Sequence, residues 1–410
     1  MAVNRRIEHF FAGAAGKFLS AVEASTAASH QHEFNGARPL VDLLGPPPAD
    51  GSKRRYRTTY VRLADDAEPL LVDDTATWYD ARARHPTRSE FRFYYPAGNA
   101  VMALTRPGDY VVIARTLPGQ ERDLVVVVTD GKSSMAAQLE AMFGLEPSET
   151  FDVETVPSGE DLTFSSRRLL EALGYEVEFS DERFLEDLLN RFGHHFPSTA
   201  TFSAYARSTL PDISPLDDPD AALLAWWDRE EVLFRTFERY VLGQRIAEAG
   251  GDIDSILQTA MSAFQRRKSR AGHALENHVA EILRAWQVPF DAQPRTEGKV
   301  RPDFLIPGAA EYHDPAFPAD RLHMLAVKTT CKDRWRQILS EAARVPVKHL
   351  LTLEAPISRD QLVEMQEQLV VLVVPAALHA LFGQRELAVI GLAEMIHVFG
   401  RDGPPALPFG

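Results

Sequence analysis

Apolar and polar residues alternate with a two-residue period through much of the first third of the chain, the signature of half-buried strands. The pattern predicts strands at 58–63, 90–95, 109–116 and 123–129, separated by turn-forming clusters such as Pro46-Pro47-Pro48 and Arg106-Pro107-Gly108. A helix is expected over 133–143. Residues 1–19 carry Phe10, Phe11 and Phe18 in a short apolar run broken by glycines, which suggests an amphipathic helix rather than a signal peptide. From 146 to 160 the chain is polar with no clear apolar period and is expected to be a linker.

The pattern then changes. Residues 217–249 show a helical period, with Leu223, Trp226, Trp227, Val232, Leu233 and Phe237 as expected core anchors. Two further helices are expected at 253–267 and 271–286. Short apolar runs then alternate with helical segments. Strands are predicted at 304–307, 324–329, 349–353 and 369–374, and helices at 332–344 and 358–368. That order implies an α/β unit with a mixed sheet. The expected division is 1–150 for a mainly-β domain, 151–175 for a linker and 176–410 for the α/β domain. A chain of 410 residues is long enough for such a division.

No stretch is long and apolar enough to span a bilayer, so no membrane partner is expected. A single cysteine, Cys331, excludes a disulfide within the chain and fits a reducing cytoplasm. The net charge of −14 argues weakly against nucleic acid. Its distribution changes that picture: residues 261–350 hold 15 Lys and Arg against 10 Asp and Glu, a basic island in an acidic protein.

The candidate chemistry lies within that island. Asp303, after Pro302, opens one predicted strand. Lys328 ends the next, Glu341 follows 13 residues later in a predicted helix, and Glu276 sits in an earlier helix. Phosphodiester hydrolysis needs a metal-activated water and charge stabilisation at phosphorus. Two or three carboxylates suffice for Mg²⁺, which keeps several of its waters. Asp303, Glu341 and Glu276 are therefore the candidate metal ligands, and these three with Lys328 the candidate catalytic set. Lys332, Asp333 and Arg334 follow at once. Lys and Arg can bind guanine O6 and N7, and an acidic residue can accept from cytosine N4. The same residues would also make an ordinary charged first turn of a helix.

The string from Leu325 to Leu339, including Lys328-Thr329-Thr330-Cys331-Lys332-Asp333-Arg334-Trp335, closely resembles the active-site segment of the EcoRII-type (type IIE) restriction endonucleases. Arg266–Gly272 with Leu275-Glu276, and Arg301-Pro302-Asp303-Phe304-Leu305, resemble that family too. The resemblance runs from about His195 onward. It implies a PD-(D/E)XK restriction-endonuclease-like fold, with Asp303, Lys328, Glu341 and Glu276 at the catalytic positions and Lys332, Asp333 and Arg334 reading bases. It further implies a homodimer cutting double-stranded DNA at a symmetric site resembling CC(A/T)GG, before the first C. A cytosine methyltransferase would be its functional companion.

The family also flips the central bases. Arg229 and Phe234 are the loose candidates for holding them, Phe234 reading otherwise as a core residue of the helix, and Glu230 stands where that family's arginine is expected. Tyr312 is assigned a structural or phosphate-contact role, because metal-assisted hydrolysis accounts for the carboxylates better than a tyrosine nucleophile. In the N-terminal part, Ser29-His30-Gln31 and Thr87–Arg92 resemble DNA-contacting loops of the family's B3-like pseudobarrel, which binds a second site as allosteric effector. His30, Arg88, Glu90 and Arg92 are the candidate contacts. Asn35, Pro86 and Phe91 depart from the family, and the loss of two basic residues should weaken phosphate affinity. The alternative function is a non-cleaving, sequence-specific DNA-binding regulator on the same scaffold.

Overall fold

A computed structural model describes residues 6–24, 32–35, 37–85, 87–159, 162–175, 177, 181–298, 300–331, 334–382 and 389–400. The chain divides into two compact units, Met1–Val177 with Pro356–Asp360, and Glu178–Ala355 with Gln361–Gly410.

The first unit is built on strands β1 (Phe11–Phe18), β2 (Glu33–Phe34), β3 (Arg54–Arg62), β4 (Leu70–Asp80), β5 (Phe91–Tyr94), β6 (Asp109–Thr116), β7 (Leu124–Asp130) and β8 (Asp152–Thr155). Among the described residues they form one sheet in the order β2-β5-β4-β3-β7-β6-β1-β8, antiparallel except for β3 and β7. The sheet curls. Phe34 on one edge strand and Phe151 beside the other lie 6.0 Å apart, and Lys17 Nζ on β1 donates to Asn35 O at 3.0 Å. Val111, Ile113, Leu124, Val126 and Val128 line the core inside this curve with Tyr60, Trp78 and Phe93. Val112, Val125 and Val127 on the opposite face are buried as well. That double burial explains why β6 and β7 are near-continuous apolar runs.

The helix Ser134–Phe143 is capped by Ser133, which accepts from Ala136 N, and ends at Gly144 in the left-handed region (φ 71°). Two expectations fail here, and one further strand is present. Residues 11–18 form β1, not a helix. This strand is hydrogen-bonded on both sides, and a Cβ at Gly16 would meet the Tyr110 hydroxyl at 2.3 Å, so close approach rather than a helix break accounts for that glycine. The expected linker is folded: β8 pairs with β1, and Phe164–Ala172 is a helix. Strand β4 was not anticipated because Asp73 and Asp74 interrupt its apolar alternation; Thr59 Oγ1 donates to Asp73 at 2.5 Å across the ladder.

The second unit contains two long helices, Pro219–Glu248 and Ile253–Ala285, and strands β9 (Asp291–Ala292), β10 (Phe304–Ile306), β11 (His323–Val327), β12 (Lys348–Leu351), β13 (Val370–Val373) and β14 (Val389–Ile390). The sheet order is β14-β13-β12-β11-β10-β9. Strands β9 to β11 are antiparallel and β11 to β14 parallel, so the sheet is mixed as expected. All six anchors expected on the Pro219–Glu248 helix are buried.

The second long helix is continuous where two were expected. Its basic run at 266–270 looked like a boundary. Instead Arg267 Nε donates to Glu238 at 2.7 Å, and Arg270 pairs with Glu230 at 3.2 Å and with Glu231. The polar interruption thus belongs partly to the face that meets the neighbouring helix. Among the described residues, no helix is long and apolar enough to cross a membrane.

Candidate active site

Strands β10 and β11 run antiparallel, with Phe304 opposite Leu325. That register sets Asp303, just before β10, beside the end of β11. Its Oδ2 accepts from Val327 N at 2.7 Å and from Lys328 Nζ at 2.8 Å. Asp303 is buried, and Lys328 keeps a fifth of its side chain exposed. Lys328 is itself fixed by its backbone, which donates to Leu351 O on β12 at 2.9 Å. The sheet therefore places a carboxylate and an ammonium at one strand end with little freedom.

Glu341 does not lie on a helix. Only Arg334–Gln337 is α-helical, followed by a 3-10 turn over Ile338–Ser340, and Glu341 has extended backbone (φ −89°, ψ 141°). The next residue, Ala342, has φ +48°, which breaks any helical continuation. This turn is held by Lys348, a buried lysine at the start of β12. Its Nζ donates to the carbonyls of Glu341 (2.5 Å), Ala342 (3.2 Å) and Val345 (3.3 Å). An ammonium has three protons, and three carbonyls receive them. Glu341 Oε2 is buried and accepts no hydrogen bond among the described residues. Burial pushes the Glu341 carboxyl up to about 7; Lys328 and Lys348 oppose the rise, and Asp303 adds to it.

Glu276 faces the same group from the Ile253–Ala285 helix. Burial raises its carboxyl, the Asp303 charge raises it further, and His273 and Lys328 pull it back. Gln293 bridges the two elements: its backbone N donates to Asp303 O at 2.9 Å, and its Nε2 to Glu276 Oε2 at 3.1 Å. Lys348 and Gln293 are positioning residues that the sequence motifs did not reveal. For Lys348 a signal exists, since a lysine in the apolar run of β12 must find acceptors when buried.

Asp303, Lys328, Glu341 and Glu276 thus interact as one group, with three carboxylates around one reaching ammonium. Among the described residues, no three Asp, Glu, His or Cys side chains already stand as a closed metal-ligand set. The unsatisfied Glu341 oxygen and the upward shifts at Glu341 and Glu276 mark a surplus of negative charge. An oxygen-seeking divalent cation fits both features.

The segment after Lys328 is pinned in steps: Cys331 N donates to buried Glu354 at 2.6 Å, and Arg334 N to Cys331 O at 2.9 Å. Arg334 is exposed. Lys332 and Asp333 lie outside the described residues. Cys331 is itself buried, and burial pushes its thiol up, away from reactivity.

The remaining candidates separate clearly. Tyr312 is buried: its hydroxyl donates to Glu297, while Arg344 N donates to that hydroxyl at 3.3 Å. Burial, then the bond to Glu297, pushes the phenol up to about 12. It ties the Glu297 loop to the turn at Arg344. Phe234 is 1% exposed among Phe196 and Phe202, with the Arg270 guanidinium 4.1 Å from its ring centre, so no ring face is available to a base and its base-holding role is withdrawn. Arg229 is half-buried and lies over Phe184 at 4.8 Å. Glu230 is fully buried between Arg270 and His278 (3.0 Å), not facing a base.

In the first unit Arg88 is exposed. Glu90 accepts from Arg82 at 2.6 Å and pairs with Arg92, which also pairs with Glu33. Arg92 and Glu90 are thus already matched to each other. His30 lies outside the described residues.

Residues 234–396 match the family model described as EcoRII C terminal, a stretch that holds Glu276, Asp303, Lys328, Arg334, Glu341 and Lys348. The chain is 42% identical over 214 residues to the type II restriction enzyme EcoRII of Escherichia coli; the alignment covers 50% of this chain and 52% of that enzyme. The chain therefore spans about half the length of the curated relative it matches. Two solved structures are also similar. One is metal-depleted Ecl18kI in complex with uncleaved DNA, with TM-score 0.42, 20% identity, and coverage of 53% of this chain and 83% of that one. The other is the PspGI–substrate DNA complex, with TM-score 0.41, 14% identity, and coverage of 50% and 92%.

Proposed function

We propose that this chain is a type II restriction endonuclease of the EcoRII kind, a homodimer hydrolysing double-stranded DNA at a short symmetric site. The observation that carries this reading is the Asp303–Lys328 pair at the ends of adjacent strands, with the unsatisfied carboxylate of Glu341 beside it. A pure DNA-binding regulator has no use for three carboxylates crowded at a phosphate-binding face, where they repel the ligand.

Asp303, Glu341 and Glu276 would hold a divalent cation, Mg²⁺ in this reading, which when bound supplies an acidified water and a Lewis acid for the phosphoryl oxygens. Lys328 then has two tasks. Its ammonium orients the attacking water, and it offsets the charge that grows on the phosphoryl group. Lys348 and Gln293 keep Glu341 and Glu276 in place while the substrate is bound. The segment pinned by Glu354 presents Arg334 six residues beyond the catalytic lysine, which couples base reading to the cut position.

The site read is taken to be CC(A/T)GG, cut before the first C, with Lys332, Asp333 and Arg334 on the C·G pairs. Replacing Arg334 by alanine should cost about 1–3 kcal/mol of specific affinity, the worth of a bidentate base contact, and leave non-specific binding nearly unchanged. Competition between cognate and scrambled duplexes measures this. An unchanged ratio would remove Arg334 from base recognition.

The first unit is taken as a B3-like effector domain. Its curled sheet is compatible with a pseudobarrel, and Arg88 is its exposed candidate contact; Arg92 would have to leave Glu33 and Glu90 to reach DNA. A cytosine methyltransferase protecting the same site is the expected companion. Digestion of one-site and two-site plasmids with Mg²⁺, followed by sequencing of the fragment ends, tests the whole reading. Discrete ends at CC(A/T)GG and faster cutting of the two-site plasmid are expected. Equal rates would sink the effector role, and ends elsewhere the site assignment. No cutting with an added effector duplex would favour the non-cleaving regulator.

A further inference from the structure

The N-terminal half of the Ile253–Ala285 helix carries an apolar stripe that no described residue covers. Ile253, Leu257, Met261 and Phe264 are 71%, 56%, 65% and 67% exposed, and Ala260 is exposed between them. Single exposed apolar side chains are ordinary, but four large ones in one helical row are not. The row lies just beyond the Gly250-Gly251 turn, where both glycines have left-handed φ (58° and 91°), and Ile246 before the turn is 46% exposed. Farther along, the same helix changes character. Ala274, Leu275, Val279, Ile282 and Leu283 are all buried, so the stripe is not a continuation of the unit's own core.

The spacing of the stripe points to its occupant. Along its centre line Ile253, Leu257, Ala260 and Phe264 are separated by four, three and four residues, with Met261 at its flank. That order is the same in either direction along the helix. A two-fold axis across the helix therefore brings the row into register with itself, Ile253 against Phe264 and Leu257 against Ala260 of the other copy. This is the self-complementarity an isologous contact requires. Charge selects the same orientation. Glu248, Asp252 and Asp254 are exposed at the N-terminal end, and Arg267 is part-exposed at the other. Antiparallel packing sets each acidic end against the partner's basic stretch around Arg267. Parallel packing would set like against like.

We infer that the Ile253–Phe264 stripe is a self-association surface, on which a second copy of this chain packs its own Ile253–Phe264 stripe antiparallel. The choice of partner rests on the two-fold dimer of the proposed function, whereas the face itself stands on the exposed row. DNA is a poor occupant because the row offers neither cation nor donor to a phosphate.

Sedimentation of the full chain, without DNA or metal, tests the surface. Wild-type protein should be dimeric at micromolar concentration. The doubly substituted Leu257→Glu, Phe264→Glu chain should associate at least about a hundredfold more weakly, since hot-spot truncations at this level are typical of interface centres. Its circular dichroism should stay as in the wild type, because both positions are exposed in the single chain, and its melting should fall only by the contribution of association, to that of wild-type protein diluted to monomer. A wild-type monomer, or a variant as dimeric as the wild type, overturns the inference.

Orientation is read with cysteines and a short bis-maleimide, Cys331 being buried. Leu257→Cys should cross-link to its own copy. Ile253→Cys should cross-link only when mixed with Phe264→Cys, because two antiparallel copies of position 253 lie about 16 Å apart along the axis. Self-linking of Ile253→Cys would overturn the antiparallel arrangement. A chain that dimerises through this face and does not cut overturns the nuclease reading alone. One that cuts while the charged variant stays dimeric overturns the interface alone.

Discussion

Alanine in place of Lys328 is expected to lower DNA cleavage by about a thousandfold while leaving cognate binding within a few-fold of wild type. Removal of one preorganised charge at a developing phosphoryl charge is worth about 10²–10³ in rate. Lys328 is also the counterion of Asp303 at 2.8 Å. Without it, the Asp303 carboxylate keeps its bond from Val327 N but loses the only cation this structure places on it among the described residues. Some stability is therefore lost as well, and binding should be measured below the variant's melting range. The measurement is a single-turnover cleavage rate beside a gel-shift titration on the same duplex. A variant that still cuts within tenfold of wild type would move the catalytic lysine elsewhere.

Glu341→Gln separates chemistry from burial. Cleavage should again fall, by about 10² or more, because a charged oxygen ligand becomes a neutral amide. The informative readout is the metal-free melting temperature against pH. The folded carboxyl titrates at about 7 and its ordinary value is 4.5. Between those values the folded chain binds more protons than the unfolded one, so stability falls as pH rises. Glutamine does not titrate. Glu341→Gln should therefore match wild type near pH 4.5 and exceed it above pH 7, by about 1 kcal/mol once solvent screening of a part-exposed group is allowed for. Mg²⁺ should raise the wild-type melting temperature at pH 8 more than that of the variant. Parallel melting curves across pH would show that Glu341 is not strained by burial. The same titration predicts that the apparent Mg²⁺ affinity of the metal-free chain rises with pH up to about 7, because Glu341 must lose its proton to bind the metal.

The sequence by itself determined the four central strands of the second unit, β10 to β13, the mixed sheet, and the placing of Asp303 and Lys328 at neighbouring strand ends. These follow from local periodicity and from short connections, which leave few topologies open. It also identified the six core anchors of the Pro219–Glu248 helix, because an apolar stripe at helical spacing has to be buried. Phe234 sits among the same aromatics. Its helical spacing already favoured a core place, and Phe196, Phe202 and the Arg270 guanidinium close around its ring.

Tertiary structure alone decided the rest, wherever a segment's state depends on a distant partner. Residues 11–18 are a strand because β6 and β8 flank them, against a local pattern that suggested a helix. The basic run before Gly272 stays helical because Glu230, Glu231 and Glu238 accept its guanidiniums from another helix. Glu341 leaves the helix because Lys348, seven residues on, gathers the turn's carbonyls beneath it. Local propensity amounts to a few tenths of a kcal/mol per residue, and a buried charge seeking partners outweighs it.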